Sequence, residues 1–450
     1  MSTRSAVDVV IAGGGVAGVA AAAALGEFGY HVLLVEPGLD GHKRLAGELI
    51  HPPGVRDLAE LGLLPAVERP GTRSVVGFAV VADANADAHL LPYGELPGLR
   101  RHGFTIDHAT LRTALLDAAS ALPHVTVSLG ARVTGLDLDG AAATITINGP
   151  LGTTRLRTQL VVGADGATSN VRRLAGIGHT RSRISHMVGY VLRGARLPYP
   201  GFGNIFLGGV APSLAYAIGD DAVRVMFDVP DNPDALAALQ RNPAYLAALP
   251  APFRDDVCAA IETQPRLVSV NHSVVPDTVI RQRLVLAGDA AGCCHPLTAT
   301  GLTASTRDAI RLRDALRKSG GDIPAAARAY AAAREGPERT REALAEALYR
   351  AFVAQTPEMR LLRHGLLRFW KHSRRGRAAS MALLSTHEGR MSRMALSYAH
   401  VTGHALIALI GRRGADEVPT LGRRRAVLAL WRSALHHLYA SIAHTATRRV

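Results

Sequence analysis

A glycine-rich turn near the N-terminus constrains this chain more than any other feature. Val7–Ala12 is a short apolar run of β-type residues, Val16–Phe28 is Ala-rich and helical in character, and His31–Val35 is a second apolar run. Strand, glycine turn, helix and strand in that order predict a βαβ unit. At the turn, Gly13-Gly14-Gly15-Val16-Ala17-Gly18 supplies GxGxxG. Such glycines let backbone approach a pyrophosphate, and the helix that follows offers unpaired N–H groups and the positive end of its dipole. Glu36 closes the second apolar run, 18 residues after Gly18, where a carboxylate can hold a ribose hydroxyl. A glycine turn with a purely structural role is the competing reading. Strand, helix and Glu36 in register favour a dinucleotide.

The rest of the composition agrees with a large globular protein. Of 450 residues, 48% are hydrophobic and 20% charged, which excludes wholesale disorder and gives a length prior of two to three domains. Three cysteines exclude a disulfide scaffold, and without CxxC or repeated Cys/His spacing no metal site is expected. Net charge is +14, and residues 331–450 hold 21 Lys and Arg against 8 Asp and Glu. The basic surplus therefore lies almost wholly in the last quarter. There Arg374, Arg375, Arg377, Arg412, Arg413 and Arg423 to Arg425 punctuate apolar stretches bearing Phe369, Trp370, Trp431 and Tyr439.

Arg clusters beside interfacial aromatics suit peripheral contact with an anionic membrane, and a solvated helical cap is the alternative. No nucleic-acid module is recognisable, so nucleic acid is not an expected partner. The stretch from Met394 to Gly411 carries His400 and His404 and is short for a membrane span. With no targeting segment in view, the expected location is cytoplasmic, at most peripheral on the inner face of a membrane.

Further along, Leu111–Ala121 reads as a helix, and Val125–Leu129, Ala143–Ile147 and Leu160–Ala164 as strands. Residues 186–275 differ: Val188–Arg193, Ser213–Ile218 and Val223–Val229 are strands, the last two joined by Gly219-Asp220-Asp221, a hairpin signal. Leu284–Ala287 returns to a buried strand and Thr303–Lys318 to a helix. After Pro324 the chain reads as amphipathic helices. The expected class is α/β with α+β character. A Rossmann-like nucleotide domain (1–75, 100–185 and 276–325) carries an inserted antiparallel-sheet substrate domain (76–99 and 186–275). A basic helical region (326–450) follows.

Two later motifs decide which dinucleotide is expected. Gly163-Ala164-Asp165-Gly166 resembles the "DG" motif of FAD-dependent aromatic hydroxylases, the monooxygenase superfamily with the p-hydroxybenzoate hydroxylase fold. Gly288-Asp289-Ala290-Ala291, followed by His295-Pro296-Leu297, resembles its "GD" motif. Within that superfamily Gly47-Glu48-Leu49-Ile50-His51-Pro52-Pro53-Gly54 resembles the GELLQPGG segment of squalene epoxidases. His295-Pro296-Leu297-Thr298-Ala299-Thr300-Gly301-Leu302-Thr303 is similar to their HPLTGGGMT segment. Met187–Leu192, the Ser213–Val229 hairpin and Ala347–Phe352 are similar as well.

The resemblance implies FAD as cofactor, held by Gly13, Gly15, Val16, Ala17, Gly18, Glu36, Arg44, Asp165, Gly288, Asp289, Pro296, Gly301 and Leu302. The family's arginine near residue 108 aligns with Thr110, so Arg112 takes that part through a shifted register. Other departures stand out. His51 replaces a Gln, Phe78 replaces a Tyr near the flavin, and Ala299 and Thr300 replace two glycines. His51 and Phe78 are therefore flavin-side candidates rather than assigned catalytic residues.

The chemistry implied is oxygen transfer from a flavin C4a-hydroperoxide. The first expectation is epoxidation of an alkene in a hydrophobic polyene, terpenoid or polyketide-like substrate, with dioxygen as co-substrate. An aromatic hydroxylase and an isoprenoid double-bond reductase of the same fold are the alternatives. A halogenase is disfavoured because WxWxIP is absent, and a non-enzymatic flavoprotein scaffold is the reading outside enzymology. Epoxidation needs position and dryness more than acid or base, so the expected pocket walls are Phe78, Tyr190, Phe206, Tyr216 and Phe227. No second GxGxxG lies in a βαβ setting, so electrons from NAD(P)H are expected through a separate reductase.

Overall fold

The computed structural model describes residues 7–38, 45–231, 239 and 242–410. The βαβ start forms as the sequence predicts. Val9–Ala12 is fully buried and lies between Val32–Glu36 and Leu160–Gly163, parallel to both. The complete sheet runs Ile280–Arg281, Leu284–Leu286, Leu160–Gly163, Val9–Ala12, Val32–Glu36, Val125–Leu129. It is parallel except for its first strand. Strands buried on both faces read as unbroken apolar runs rather than alternating ones, which is why these were legible.

The helix Val16–Gly26 is buried through almost its whole length, and its alanines let it lie close against the helix Gly301–Lys318. That contact brings the start of the chain to the residues near 300. Arg132–Asp137, Ala143–Gly149 and Gly152–Thr158 form a three-stranded antiparallel flap over the other face.

A second, seven-stranded sheet has the order Leu267–Pro276, His179–Arg193, Ala222–Pro230, Ser213–Ala217, Gly203–Phe206, Gly77–Val81, His89–Pro92. All its pairs are antiparallel except Gly203–Phe206 with Gly77–Val81. The 15-residue strand His179–Arg193 begins well before Val188, where sequence pattern first shows it. Its leading third, His179–Arg183, is polar and exposed, so no apolar period marks it.

One face of this sheet packs on the helix Ala251–Thr263, the other on the C-terminal helices Ile323–Val353, Pro357–His372, Arg374–Leu384 and Met391–Ile410. Among the described residues no helix is long and apolar enough to cross a membrane. Arg412, Arg413, Arg423 to Arg425, Trp431 and Tyr439 lie outside the described residues, as does Arg44.

Candidate active site

Gly13 stands at φ +105°, and a Cβ there would meet the carbonyl oxygen of Ala164 at 2.5 Å. A Cβ on Gly18 would fall 1.8 Å from the Gly13 oxygen. Gly15 has the opposite surroundings: a Cβ there meets nothing within 4 Å. Gly15 is the N-cap of Val16–Gly26 and provides no side-chain cap, nor is there an acidic residue in that helix's first turn. The first-turn N–H groups at Val16 and Ala17 thus have no side-chain cap and lie beside open space at Gly15, which suits a phosphate.

Glu36 ends its strand beside this turn. Its carboxylate accepts from the backbone N–H of Gly14 at 2.6 Å and of Gly38 at 3.1 Å. Arg112, on the helix His108–Ser120, reaches the same carboxylate at 3.1 Å, whereas Thr110 donates to its helix cap Asp107. Asp165 turns inward. Ser169 Oγ and the backbone N–H groups of Asn170 (2.7 Å) and Val171 (2.9 Å) all donate to it. Its carboxylate therefore braces the short helix Asn170–Leu174 beside the turn at Gly13.

Gly288, at φ +59°, packs directly on Ala17, and its N–H donates to Asp308 at 3.0 Å. Asp289 follows half-buried, with no hydrogen-bond or ion-pair partner for its carboxylate among the described residues. Pro296 opens the turn Pro296–Thr298, and Ala299 closes it at φ +52°, a left-handed conformation that glycine adopts without steric cost. The helix Gly301–Lys318 then begins without a side-chain cap, and Gly301 faces open space. Leu302 packs on Gly47. Two uncapped helix starts, a free carboxylate between them and a Glu–Arg pair at the strand end make a donor and acceptor set that fits FAD.

Beside this cleft lies a small polar centre in an otherwise apolar wall. His51 is fully buried. Its Nε2 is 3.0 Å from the carbonyl oxygen of Thr298, which only accepts, so the proton sits on Nε2. Nδ1 then accepts from the hydroxyl of Tyr93 at 2.7 Å. Burial lowers the imidazole pKa to about 4, and Tyr93 keeps its proton because burial raises its phenol. Phe78 completes the cluster, its ring centroid 5.9 Å from His51 and 6.4 Å from Tyr93. Next to it Glu48 is held by Arg224 (Nε at 3.1 Å) and by the Tyr216 hydroxyl (3.1 Å). Sequence pattern missed Tyr93, Glu48 and Arg224: each sits in a short segment or on a strand where no period singles it out.

The apolar chamber is a cavity of about 90 Å³ whose walls include Val80, Leu91, Ile205, Leu297, Phe352 and Trp370. Strand alternation sorts the expected pocket walls. Phe78 and Tyr216 stand on this face of the seven-stranded sheet. Tyr190, Phe206 and Phe227 point to the opposite face, into the core around Phe253, with Phe206 and Phe253 stacked at 5.9 Å. The structure thus corrects those three to core residues. Most of the chamber is instead supplied by the C-terminal helices, which the sequence reading took for a solvated cap or a membrane contact. Cys293 and Cys294 are free thiols, and burial raises Cys294 to about 11, which suits packing rather than redox chemistry.

Comparison with known proteins agrees with this geometry. The family model for squalene epoxidase matches residues 157–420. Squalene epoxidase erg1 of Aspergillus fumigatus is 32% identical over 385 residues, covering 81% of this chain and 79% of the relative. The chain belongs to the squalene epoxidase family. Mouse squalene monooxygenase is 30% identical, covering 81% of this chain and 65% of its own length. Among solved structures, p-nitrophenol 4-monooxygenase PnpA of Pseudomonas putida superposes with a TM-score of 0.69 at 21% identity, covering 88% and 98% of the two chains. A variant of HpxO of Klebsiella pneumoniae complexed with FAD gives 0.69 at 22%, covering 84% and 99%. At such identities the structural likeness establishes the fold alone.

This squalene epoxidase family member is accordingly an FAD-dependent monooxygenase of the epoxidase type, with the mixed α/β fold of flavin monooxygenases. The alternative readings, an aromatic hydroxylase and a double-bond reductase, are not favoured by its relatives.

Proposed function

We propose that the enzyme epoxidises an alkene of a long hydrophobic polyene or terpenoid such as squalene. The observation that carries this reading is the apolar chamber of about 90 Å³ beside Leu297, walled by aliphatic and aromatic side chains with two serines and no charged group, which suits one segment of such a chain. When bound, FAD supplies the activation of dioxygen and the oxygen atom that is transferred.

The chain's own residues bind, orient and keep dry. Gly13, Gly15 and Gly18 with the N–H groups of Val16 and Ala17 hold the diphosphate. Glu36 and Arg112 hold the adenosine end. Asp289 would take a hydroxyl of the linking chain, and the helix start at Gly301, backed by Leu302, would stabilise negative charge on the ring system. Gly288 and Pro296 shape the loops that close on it. His51, neutral and locked between Tyr93 and Thr298, fixes the polar edge, while Phe78 and the C-terminal helices exclude water. Electrons come from NAD(P)H through a separate reductase. The basic helices around Arg374 to Arg377 rest on the inner face of a membrane, from which a lipid-like substrate enters.

Purified enzyme loaded with FAD and supplied with NADPH, a flavin reductase and a matched set of polyenes and phenols tests this. Epoxide from the polyenes with phenols untouched supports it; phenol hydroxylation with polyenes untouched overturns it. Reduction of the flavin by NADPH alone at full rate would overturn the separate-reductase arm.

A further inference from the structure

Behind the loop that runs into Pro296 lies a second buried polar group, separate from the His51 cluster. Asp228, on Ala222–Pro230, has a side chain only 1% exposed. Four side chains from four other segments converge on it. Ser185 Oγ donates to Oδ1, Asn271 Nδ2 donates to the same oxygen at 3.2 Å, and the Tyr349 hydroxyl donates to Oδ2 at 2.9 Å. His295 Nε2 lies 3.1 Å from Oδ1, and the Tyr349 ring covers the imidazole at 4.3 Å. The other ring nitrogen of His295, Nδ1, accepts from the backbone N–H of Leu297 at 3.1 Å. That bond leaves Nδ1 unprotonated and puts the ring proton on Nε2, aimed at Asp228. Burial and the adjacent carboxylate push the Tyr349 phenol up, so it remains a donor. Among the described residues no Arg or Lys forms an ion pair with Asp228, and His295 is the basic side chain in contact with it.

We propose that Asp228 is a positioning residue for the flavin-facing loop, and that its carboxylate, with no Arg or Lys paired to it, makes the bound flavin harder to reduce. The first part follows from geometry. A carboxylate at Oδ1 selects the Nε2–H form of His295, which alone lets Nδ1 take the Leu297 amide and fold the Pro296–Thr298 turn. The second follows from electrostatics. A buried anion opposes the negative charge that reduction adds, offsetting the stabilisation offered by the uncapped helix start at Gly301. This second part rests on FAD binding as proposed above; the first does not.

The test uses the full-length protein in apo and FAD-loaded forms, with Asp228→Asn, Asp228→Leu and Tyr349→Phe. In apoprotein, nitrogen-15 shifts of His295 are expected to report Nε2–H and acceptor Nδ1. In Asp228→Leu, which removes the acceptor for Nε2–H, the ring moves toward the Nδ1–H form and the Leu297 amide exchanges at least tenfold faster, whereas D228N keeps an amide oxygen in that place and the Nε2–H form. In the loaded enzyme D228N shifts the flavin potential to more positive values by about tenfold in the two-electron equilibrium constant, about 30 mV. Y349F, which keeps the charge and removes one donor, shifts it the other way. A merely structural role would move stability without this opposition of sign. An Nδ1–H ring in the wild type overturns the positioning role. Potentials that shift together or not at all overturn the electrostatic one. If the Asp228 variants do not fold, Y349F and the wild-type ring carry the test: a potential unchanged or more positive in Y349F counts against the proposal. Failure of FAD to bind shows separately, as colourless protein with the His295 signature intact.

Discussion

At His51 two hydrogen bonds decide the state of one ring. Its pKa of about 4 lies below the ordinary value of 6.5 because burial disfavours the cation. The unfolded chain therefore takes up a proton between those values while the folded chain does not. Stability from this group is complete above pH 6.5 and lost as pH falls toward 4, by about 3 kcal/mol at the acid end. In His51→Gln the amide can still donate to Thr298 and accept from Tyr93, and this part of the pH dependence should vanish. Urea titrations of both proteins from pH 7 to 4 check it; parallel losses would refute the buried neutral imidazole. Tyr93→Phe leaves Nδ1 of His51 buried without a donor, with an expected cost of about 1–3 kcal/mol in the same titrations at pH 7. A cost below the error of the measurement would mean the pair is not formed in solution.

At the scale of elements, the cofactor cleft depends on close approach. The helix Val16–Gly26 lies within reach of Gly13 because Gly18 lacks a Cβ, and the Gly288 loop lies on that helix because Ala17 is small. Gly18→Ala has no flexible neighbour to displace, since the obstructing atom is the backbone oxygen of Gly13. The expected outcome is at least a tenfold loss of FAD affinity, read by quenching of flavin fluorescence; a variant that binds FAD normally would show that the turn opens more easily than its geometry implies. The same scale explains what sequence could show. Val9–Ala12, Leu160–Gly163 and Leu284–Leu286 were visible because both faces are buried. Arg132–Asp137 and Gly152–Thr158 were not, since exposed polar residues interrupt any period. Tyr190, Phe206 and Phe227 were misassigned because alternation gives two faces without saying which one holds the chamber.

For the whole molecule, the chamber belongs to neither half of the sequence. The first sheet brings the phosphate turn, the second brings Phe78, Val80 and Ile205, and the C-terminal helices close over them with Phe352 and Trp370. The nucleotide fingerprint was legible because its spacing is local. The chamber was not, because it joins residues up to about 300 positions apart. The basic tail has a similar ambiguity: Arg377 pairs with Glu95 at 2.8 Å, so part of that charge serves to fasten the helices to the sheet. The most direct measurement is the fate of isotopically labelled dioxygen. With enzyme, FAD, a reductase, NADPH and a squalene-like polyene, one labelled oxygen atom should appear in an epoxide, with the other released as water. An unlabelled product, or consumption of dioxygen that yields only hydrogen peroxide across a range of polyenes, would contradict it.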